Sequence, residues 1–263
     1  GIQRDLEGCG YHNISPVQII TARQVNYDDI KDENPGPAYF EMRKSRMEVA
    51  FSLMSDSESR ETYLSCVKGH LLRDYSSYKE TDFPCQYYDA GVPLNKGFSS
   101  FVDCGAYNGD SLETILKYCD RLDTYIAFEP ILDNYTMLSS TSDRLADRIG
   151  NGFLYPCGVS NRTGVERFSI AASSSTIDEN GELLPIVKID DVLKNVPVTF
   201  LKMDIEGSEY DTIQGAKNVL MNNDCRLSCA TYHAEEDASN IKNLLESYGY
   251  RTWFSDSSML FFY

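Results

Sequence analysis

The fold class is indicated by the segment Phe101-Val102-Asp103-Cys104-Gly105-Ala106-Tyr107-Asn108-Gly109-Asp110-Ser111. It begins as a short apolar run, turns at Gly105, and passes into a helical pattern after Gly109. Glycine lets the backbone approach a ligand closely at the carboxyl end of a strand. A strand, a glycine-containing turn and a helix in this order are typical of the first unit of a doubly wound α/β sheet.

The spacing of the two glycines narrows the choice of ligand. A dinucleotide-binding loop has the pattern GxGxxG, but Tyr107 stands where the middle glycine would be. Its ring would crowd a pyrophosphate, whereas a nucleoside with an amino-acid tail needs no phosphate cradle. Asp103 at the end of the strand could meet the ammonium of such a ligand, directly or through water. The alternative is a tight strand-to-helix turn that binds no ligand.

Further apolar runs predict the other strands of the sheet. A doubly wound, mostly parallel sheet follows from the alternation of these runs with helical patterns. The last two runs form a hairpin-like pair around a polar tetrapeptide, which predicts an antiparallel strand near the C-terminus. The predicted strands are Ser100–Cys104, Thr124–Phe128, Gly152–Cys157, Val198–Met203, Arg226–Tyr232, Tyr250–Phe254 and Met259–Tyr263.

The first part of the chain has a different pattern. Apolar residues recur at helical spacing from Phe40 to Met54, and Ser55 with Glu58 forms a capping-box signature before a second helix. We therefore predict two domains: residues 1–97, a mostly helical N-terminal cap and connector, and residues 98–263, a Rossmann-like domain.

Glu129 follows the second predicted strand and lies 20 residues after Gly109 (129 − 109 = 20). An acidic residue at this distance, at the tip of the neighbouring strand, can accept hydrogen bonds from both hydroxyls of a ribose. The alternative is an exposed loop carboxylate, which is common in a chain with 40 acidic residues.

The stretch Leu201-Lys202-Met203-Asp204-Ile205-Glu206-Gly207-Ser208-Glu209 ends the fourth predicted strand. Alternate side chains of a strand point the same way, so Lys202 and Asp204 share a face. A buried lysine needs a carboxylate partner, and Asp204 is the nearest candidate in the sequence. In a doubly wound sheet Asp204 would also face the crevice beside Asp103. A purely structural Lys–Asp pair is the alternative.

Composition excludes several classes of function. The chain has 263 residues and a net charge of −16, so phosphate backbones and anionic lipid surfaces are poor partners. No apolar run reaches the ~18 residues of a membrane helix. The chain has eight cysteines and no CxxC pair, so no zinc-binding pattern is present. We interpret the cysteines as small buried hydrophobic residues of a protein in a reducing compartment, the cytoplasm. The first residue is Gly1, as expected for a tag remnant or for a piece of a longer polypeptide.

Together these segments resemble the FkbM-type S-adenosylmethionine-dependent methyltransferases, within the class I Rossmann-like methyltransferases. The resemblance covers residues ~98 to 263. Beyond the stretches quoted above it rests on Phe128-Glu129-Pro130 and Ile189-Asp190-Asp191-Val192-Leu193. It implies a seven-stranded sheet, S-adenosylmethionine as cofactor, and O-methylation of hydroxyls, commonly on sugars.

The resemblance also implies roles for individual residues. Asp103, Gly105 and Gly109 would contact the methionine part of the cofactor, and Glu129 its ribose. Cys157 and Gly158, after the third strand, would flank the adenine. The remaining predicted cofactor residues belong to the same two loops: Tyr107, Asn108, Ser111 and Pro130.

The resemblance assigns no residue to the acceptor side of the site. Methyl transfer to a hydroxyl needs a group that takes the proton. His233 follows the fifth strand at the same edge as Asp204, and an imidazole pKa near ~6.5 suits this task. His233 could instead cap the turn that follows it. A metal-free site is preferred over a Mg-like ion held by Asp204, Glu206 and His233.

Two other classes of function stay open. An NAD-type oxidoreductase on a related fold is disfavoured by Tyr107. A non-catalytic module that kept the cofactor pocket is the third possibility, but the loop, the ribose acid and Asp204 are all present.

Overall fold

A computed structural model describes residues 41–45, 47–48, 51, 57–72, 87, 97–171, 174–177, 181–231, 237–254 and 259–262. The chain divides into two compact units, Gly1–Glu80 and Thr81–Tyr263. The first contains helical backbone at 41–45 and the helix α1 (Ser57–Leu72). The predicted domain boundary after residue 97 lies within the second unit.

The second unit alternates strands and helices along the chain. Its elements are β1 (Ser100–Cys104), α2 (Asp110–Ile115), β2 (Leu122–Phe128), α3 (Leu132–Arg144), β3 (Ile149–Tyr155), β4 (Gly158–Ser160), β5 (Gly164–Ala171), β6 (Ser174–Ile177), β7 (Glu182–Lys188), α4 (Ile189–Val192), β8 (Phe200–Met203), α5 (Glu209–Gly215), α6 (Lys217–Asn222), β9 (Arg226–Ala230), α7 (Asp237–Ser247), β10 (Thr252–Phe254) and β11 (Met259–Phe262).

The central sheet has the strand order β10-β11-β9-β8-β1-β2-β3. Strands β3, β2, β1, β8 and β9 are parallel, which confirms the α/β class with a parallel central sheet. Strand β11 pairs antiparallel with β9 and with β10. Because β1 lies between β2 and β8, the loops after these three strands meet at one edge of the sheet.

Strand bounds differ from the predicted ones by a few residues. Strand β2 begins at Leu122 rather than Thr124, because Leu122 pairs with Ile149 of β3 and is completely buried. The pairing of neighbouring strands sets these ends, and the apolar run alone does not reveal it.

A second, four-stranded sheet has the order β4-β7-β5-β6 and was not predicted. Strand β7 contains Pro185, a residue that argues against a strand when only the sequence is read. Here Pro185 lies opposite Val165 of β5 in an antiparallel pair. The small sheet connects β3 to β8 and contributes Gly158, Val159 and Phe168 to the cavity described below.

Both faces of the central sheet are covered. On β1, Phe101 belongs to one apolar cluster and its neighbours Val102 and Cys104 belong to the other. Five cysteines of the described chain are free thiols, and Cys104, Cys157, Cys225 and Cys229 are buried. This agrees with their interpretation as small hydrophobes. Among the described helices, none is long and apolar enough to cross a bilayer.

Candidate active site

A cavity of about 200 Å³ opens at the carboxyl edge of the parallel strands. The ends of β1, β2 and β8 and the segments that follow them contribute most of its wall, and the small sheet and Tyr87 contribute the rest. The lining residues are Tyr87, Gly105, Tyr107, Asp110, Phe128, Glu129, Pro130, Asn134, Gly158, Val159, Phe168, Lys202, Asp204, Ile205, Glu206 and Ser208.

The loop after β1 turns through two left-handed glycines. Gly105 has φ 76°, and a Cβ built on it would lie 2.0 Å from the carbonyl oxygen of Asp204. Gly109 has φ 89°, and its Cβ would meet the side chain of Thr141 at 2.8 Å. Both positions therefore require glycine for packing against neighbouring segments. Gly105 also lines the cavity, as the sequence predicts for a loop that approaches a ligand.

Glu129 joins two of the loops that form the cavity. Its Oε2 accepts a hydrogen bond from the backbone N–H of Tyr107 at 2.9 Å, and its Oε1 accepts one from Ile131 at 2.9 Å. Asn134 donates a longer bond of 3.4 Å to Oε1. Burial raises the pKa of Glu129, although the bonds from Ile131 and Tyr107 act in the opposite direction. A carboxylate has about four acceptor sites, so capacity for a further hydroxyl donor is left.

The bond from Glu129 also supports an unusual backbone conformation. Tyr107 has φ 48°, in the left-handed region that residues with a Cβ rarely adopt. Its backbone N–H donates the hydrogen bond that Glu129 accepts. The shape of the loop after β1 therefore depends on a side chain from the loop after β2.

Lys202 has a different partner from the one predicted. Its ammonium lies 3.3 Å from Oδ1 of Asp103 and donates a hydrogen bond of 2.7 Å to the carbonyl of Gly105. Burial alone would lower the pKa of Lys202, but the carboxylates of Asp103 and Asp204 outweigh it, so the pKa is raised. The prediction that Asp204 is the ion-pair partner of Lys202 was wrong.

Asp103 is completely buried and is not part of the cavity lining. Burial raises its pKa to about 6, against the opposing effect of Lys202. Tyr125 donates a hydrogen bond of 3.3 Å to Oδ2 of the same carboxylate. In this structure Asp103 is the counter-ion that holds Lys202, and its contact with a ligand ammonium stays a prediction.

Asp204 does line the cavity, together with Tyr87. The Tyr87 hydroxyl donates a hydrogen bond of 2.7 Å to Oδ2 of Asp204, and the Tyr87 ring lies 4.9 Å from the Lys202 ammonium. Sequence reasoning missed Tyr87. It lies in the stretch interpreted as a connector, 117 residues from Asp204, and no motif surrounds it.

The loop after β8 is shaped by Glu209 at the start of α5. Its carboxylate accepts hydrogen bonds of 2.9 Å from the backbone of Ile205 and of Gly207. Between them Glu206 has φ 56°, a left-handed conformation at a residue that lines the cavity. The acidic residue that ends the motif is thus a structural support for the loop.

Asp190, from the Ile189–Leu193 stretch, also has a structural role. Its carboxylate accepts hydrogen bonds from the backbone of Asn218 at 3.1 Å and of Val219 at 2.9 Å, in the first turn of α6. These bonds satisfy amides that a helix leaves unpaired at its start.

The predicted site residues are therefore divided between the lining and its support. Cys157 is buried in the apolar core, and burial raises the pKa of its thiol to about 11. Gly158 beside it does line the cavity. Lining residues from the predicted set are Gly105, Tyr107, Glu129, Pro130, Gly158 and Asp204, whereas Asp103, Asn108, Gly109, Ser111 and Cys157 lie outside the lining.

His233 lies outside the described residues, so its predicted place beside Asp204 stays a prediction. Within the described part of the chain, no group of three or more His, Cys, Asp or Glu residues is arranged to hold a metal ion. The alternative metal site included His233, and it stays untested for the same reason.

Comparison with known proteins gives the family and the fold. The profile of the family described as "Methyltransferase FkbM domain" matches residues 103–252. The crystal structure of methyltransferase FkbM from Methylobacillus flagellatus KT matches with a TM-score of 0.65 and 23% identity. That match covers 86% of this chain and 60% of the other, so the chain spans about three fifths of that protein. At this identity the likeness shows the fold alone.

A second solved structure is fibrillarin from Aeropyrum pernix, in complex with natively bound S-adenosyl-L-methionine. It matches with a TM-score of 0.36 and 11% identity, covering 67% of this chain and 71% of that one. No curated protein matches the chain. The family match spans more than half of the sequence and includes the loops that form the cavity. The chain belongs to the FkbM methyltransferase domain family.

Proposed function

We propose that this chain is an S-adenosylmethionine-dependent O-methyltransferase that acts on a hydroxyl of a small molecule, a sugar or glycoside. Family membership supports S-adenosylmethionine-dependent methylation in general. The oxygen target and the sugar acceptor are our proposal, and they rest on the chemistry of the cavity wall.

The lining residues fit the cofactor in their chemistry. Glu129 offers its remaining acceptor site to a ribose hydroxyl, and Asp110 offers a carboxylate to an ammonium. Val159 and Phe168 are apolar and suit the faces of a purine. S-adenosylmethionine supplies an electrophilic methyl group when it is bound.

One observation carries the proposal: Glu129 and Asp204 line the same cavity. The first is the predicted ribose acceptor, and the second is a polar group that no predicted cofactor contact uses. A cofactor held by Glu129 and a hydroxyl held by Asp204 would therefore share one partly enclosed space. This proximity is what a displacement at a methyl group requires.

The charge of the wall supports a neutral acceptor. Four carboxylates line the cavity, namely Asp110, Glu129, Asp204 and Glu206. Lys202 is the one cation of the described lining, and Asp103 already neutralises it. A phosphorylated or carboxylated acceptor would be repelled, whereas a sugar hydroxyl can donate a hydrogen bond to these oxygens.

The acceptor hydroxyl must lose its proton as the new carbon–oxygen bond forms. We propose that His233 accepts this proton, because an imidazole is a stronger base than a carboxylate with a pKa near ~4. Asp204 is the second candidate, because it lines the cavity.

We also propose a location in the cell and a class of binding partner. The free buried thiols support a reducing, cytoplasmic location. The net charge of −16 supports a small-molecule acceptor over nucleic acid or membrane lipid.

The test has two stages. Thermal unfolding is first compared with S-adenosylhomocysteine and with NAD, and we expect only the first to raise the melting temperature. Transfer of a labelled methyl group from S-adenosylmethionine to a panel of neutral methyl glycosides is measured next. Stabilisation by NAD alone would favour an oxidoreductase. Binding of S-adenosylhomocysteine without turnover of any glycoside would contradict the sugar acceptor and favour a non-catalytic module.

A further inference from the structure

Tyr87 contacts two charged side chains of the cavity wall, Asp204 and Lys202. Its hydroxyl donates to Asp204 at 2.7 Å, and its ring lies 4.9 Å from the ammonium of Lys202. All three residues line the cavity. The family match begins at residue 103, so Tyr87 lies outside the matched region.

The Lys202 ammonium, which contacts the Tyr87 ring, is itself held in place by two groups. The ammonium is held by the Gly105 carbonyl at 2.7 Å and by Asp103 at 3.3 Å, on a side chain that is almost completely buried. A cation in this position attracts the face of an aromatic ring. Tyr87 is therefore supported by a rigid group on β8.

The hydroxyl of Tyr87 in turn restrains Asp204. An aspartate at the end of a strand can rotate about two side-chain bonds, and a short hydrogen bond to an ionised oxygen selects one orientation. The carboxylate follows β8 directly, so its backbone is already set by the sheet. With Tyr87 in place, the direction in which Asp204 presents its oxygens to the cavity is set as well.

We propose that Tyr87 is a positioning residue of the acceptor subsite, which orients Asp204 to accept a hydrogen bond from the hydroxyl of a neutral acceptor. This rests on the proposed function, because it gives Asp204 a task in methyl transfer to oxygen. Tyr87 acts through Asp204 and needs no contact with the cofactor. Its effect belongs to acceptor binding and orientation, and the affinity for S-adenosylhomocysteine is independent of it.

The test uses the full chain with three variants: Tyr87→Phe, Asp204→Asn and the double variant. Tyr87→Phe keeps the ring on Lys202 and removes only the hydroxyl. Tyr135→Phe is the matched control, because Tyr135 donates its hydroxyl to a backbone carbonyl of Leu154 at 3.4 Å and lies outside the lining. Three quantities are measured: the Kd of S-adenosylhomocysteine, kcat/KM for a methyl glycoside turned over by the wild type, and the affinity of that glycoside for the S-adenosylhomocysteine complex.

We expect Tyr87→Phe to lower kcat/KM by about 10- to 100-fold, since small errors in orientation have effects of this size. The Kd of S-adenosylhomocysteine should stay within about twofold of the wild type, and Tyr135→Phe should match the wild type in all three quantities. In the Asp204→Asn background, removal of the Tyr87 hydroxyl should have no further effect, because the two residues act as one unit.

Three results would overturn the role of Tyr87. The first is a kcat/KM of Tyr87→Phe equal to that of the wild type. The second is a double variant in which the losses of kcat/KM of the two single variants multiply. The third is a Kd of S-adenosylhomocysteine that rises in Tyr87→Phe together with the loss of turnover. In each case wild-type turnover still supports the O-methyltransferase. A wild type that binds S-adenosylhomocysteine but methylates no glycoside contradicts the proposed acceptor itself, and this role with it.

Discussion

Lys202 on β8 and Asp103 on β1 occupy the same level of two neighbouring parallel strands, and their charged atoms lie 3.3 Å apart. Both side chains are buried, with 2% and 0% of their surface exposed. The ammonium also binds the carbonyl of Gly105, where the loop after β1 begins. This ion pair therefore ties the end of one strand to the loop after its neighbour, and both Lys202 and Gly105 line the cavity.

Replacement of Lys202 by methionine should destabilise the protein strongly. The variant leaves the Asp103 carboxylate buried without its cation, and the loss of one partner of a buried pair reduces the free energy of unfolding by about 3–5 kcal/mol. In Asp103→Asn/Lys202→Met no unpaired charge remains, so we expect most of the stability to return. Urea unfolding of the two variants measures this, and a single variant as stable as the wild type would contradict the pair.

Stability should depend on pH through Asp103. Burial raises its pKa to about 6, above the ~3.9 of an exposed aspartate. Between these values the folded chain holds a proton that the unfolded chain has released. The stabilising contribution of Asp103 is therefore complete below about pH 4 and is lost as the pH rises through about 6. Urea unfolding of wild type and Asp103→Asn from pH 4 to pH 7 isolates it. The free energy of unfolding of the wild type minus that of the variant should fall over this pH range. A difference that stays constant or rises would exclude the proposed titration of Asp103.

Glu129→Gln should weaken the binding of S-adenosylhomocysteine by about 1–3 kcal/mol. The amide keeps the size of the side chain, but it has lost the charge and one acceptor oxygen. Isothermal titration calorimetry measures the affinity. Glu182→Gln, on an exposed residue of β7, controls for the change in net charge. An affinity equal to that of the wild type would remove Glu129 from the ribose site.

Two shortened chains should separate cofactor binding from acceptor chemistry. A chain that begins at Thr81 contains the whole second compact unit, including Tyr87, and a chain that begins at Phe98 lacks Tyr87. We expect both to bind S-adenosylhomocysteine. The chain from Phe98 should transfer methyl poorly, because it lacks the Tyr87 hydroxyl that orients Asp204. Calorimetry and methyl transfer to glycosides test this. Full activity of the chain from Phe98 would show that the preceding residues serve another purpose.

His233→Ala should lower kcat by ~10²–10⁴-fold with little change in cofactor affinity, if His233 takes the proton. The profile of activity against pH should lose its inflection near the histidine pKa. A loss that instead depends on added divalent ion would assign His233 to a metal site. Near-normal turnover without a metal requirement would exclude both roles and leave Asp204 as the proton acceptor.

The sequence alone determined the features that depend on neighbouring residues. Apolar runs and the turn at Gly105 predicted the parallel strands β1, β2, β3, β8 and β9. The cause is clearest in β1, β8 and β9, which are buried along their whole length and therefore leave a continuous apolar pattern, whereas β3 is mostly exposed. The spacing from Gly109 to Glu129 identified two loops that do meet, since parallel strands end at the same edge of a sheet. The small sheet was not predicted, and Pro185 within its strand β7 argues against a strand when only the sequence is read.

Which side chains meet depends on the packing of the whole domain. Asp204 is two residues from Lys202, but residues i and i+2 of a strand lie about 6.6 Å apart, whereas neighbouring strands are separated by about 4.8 Å. Lys202 therefore pairs with Asp103, 99 positions away along the chain (202 − 103 = 99), at the same level of the next strand. Tyr87 reaches Asp204 across 117 residues. Such contacts follow from strand order and register, and these are set by the packing of the whole domain.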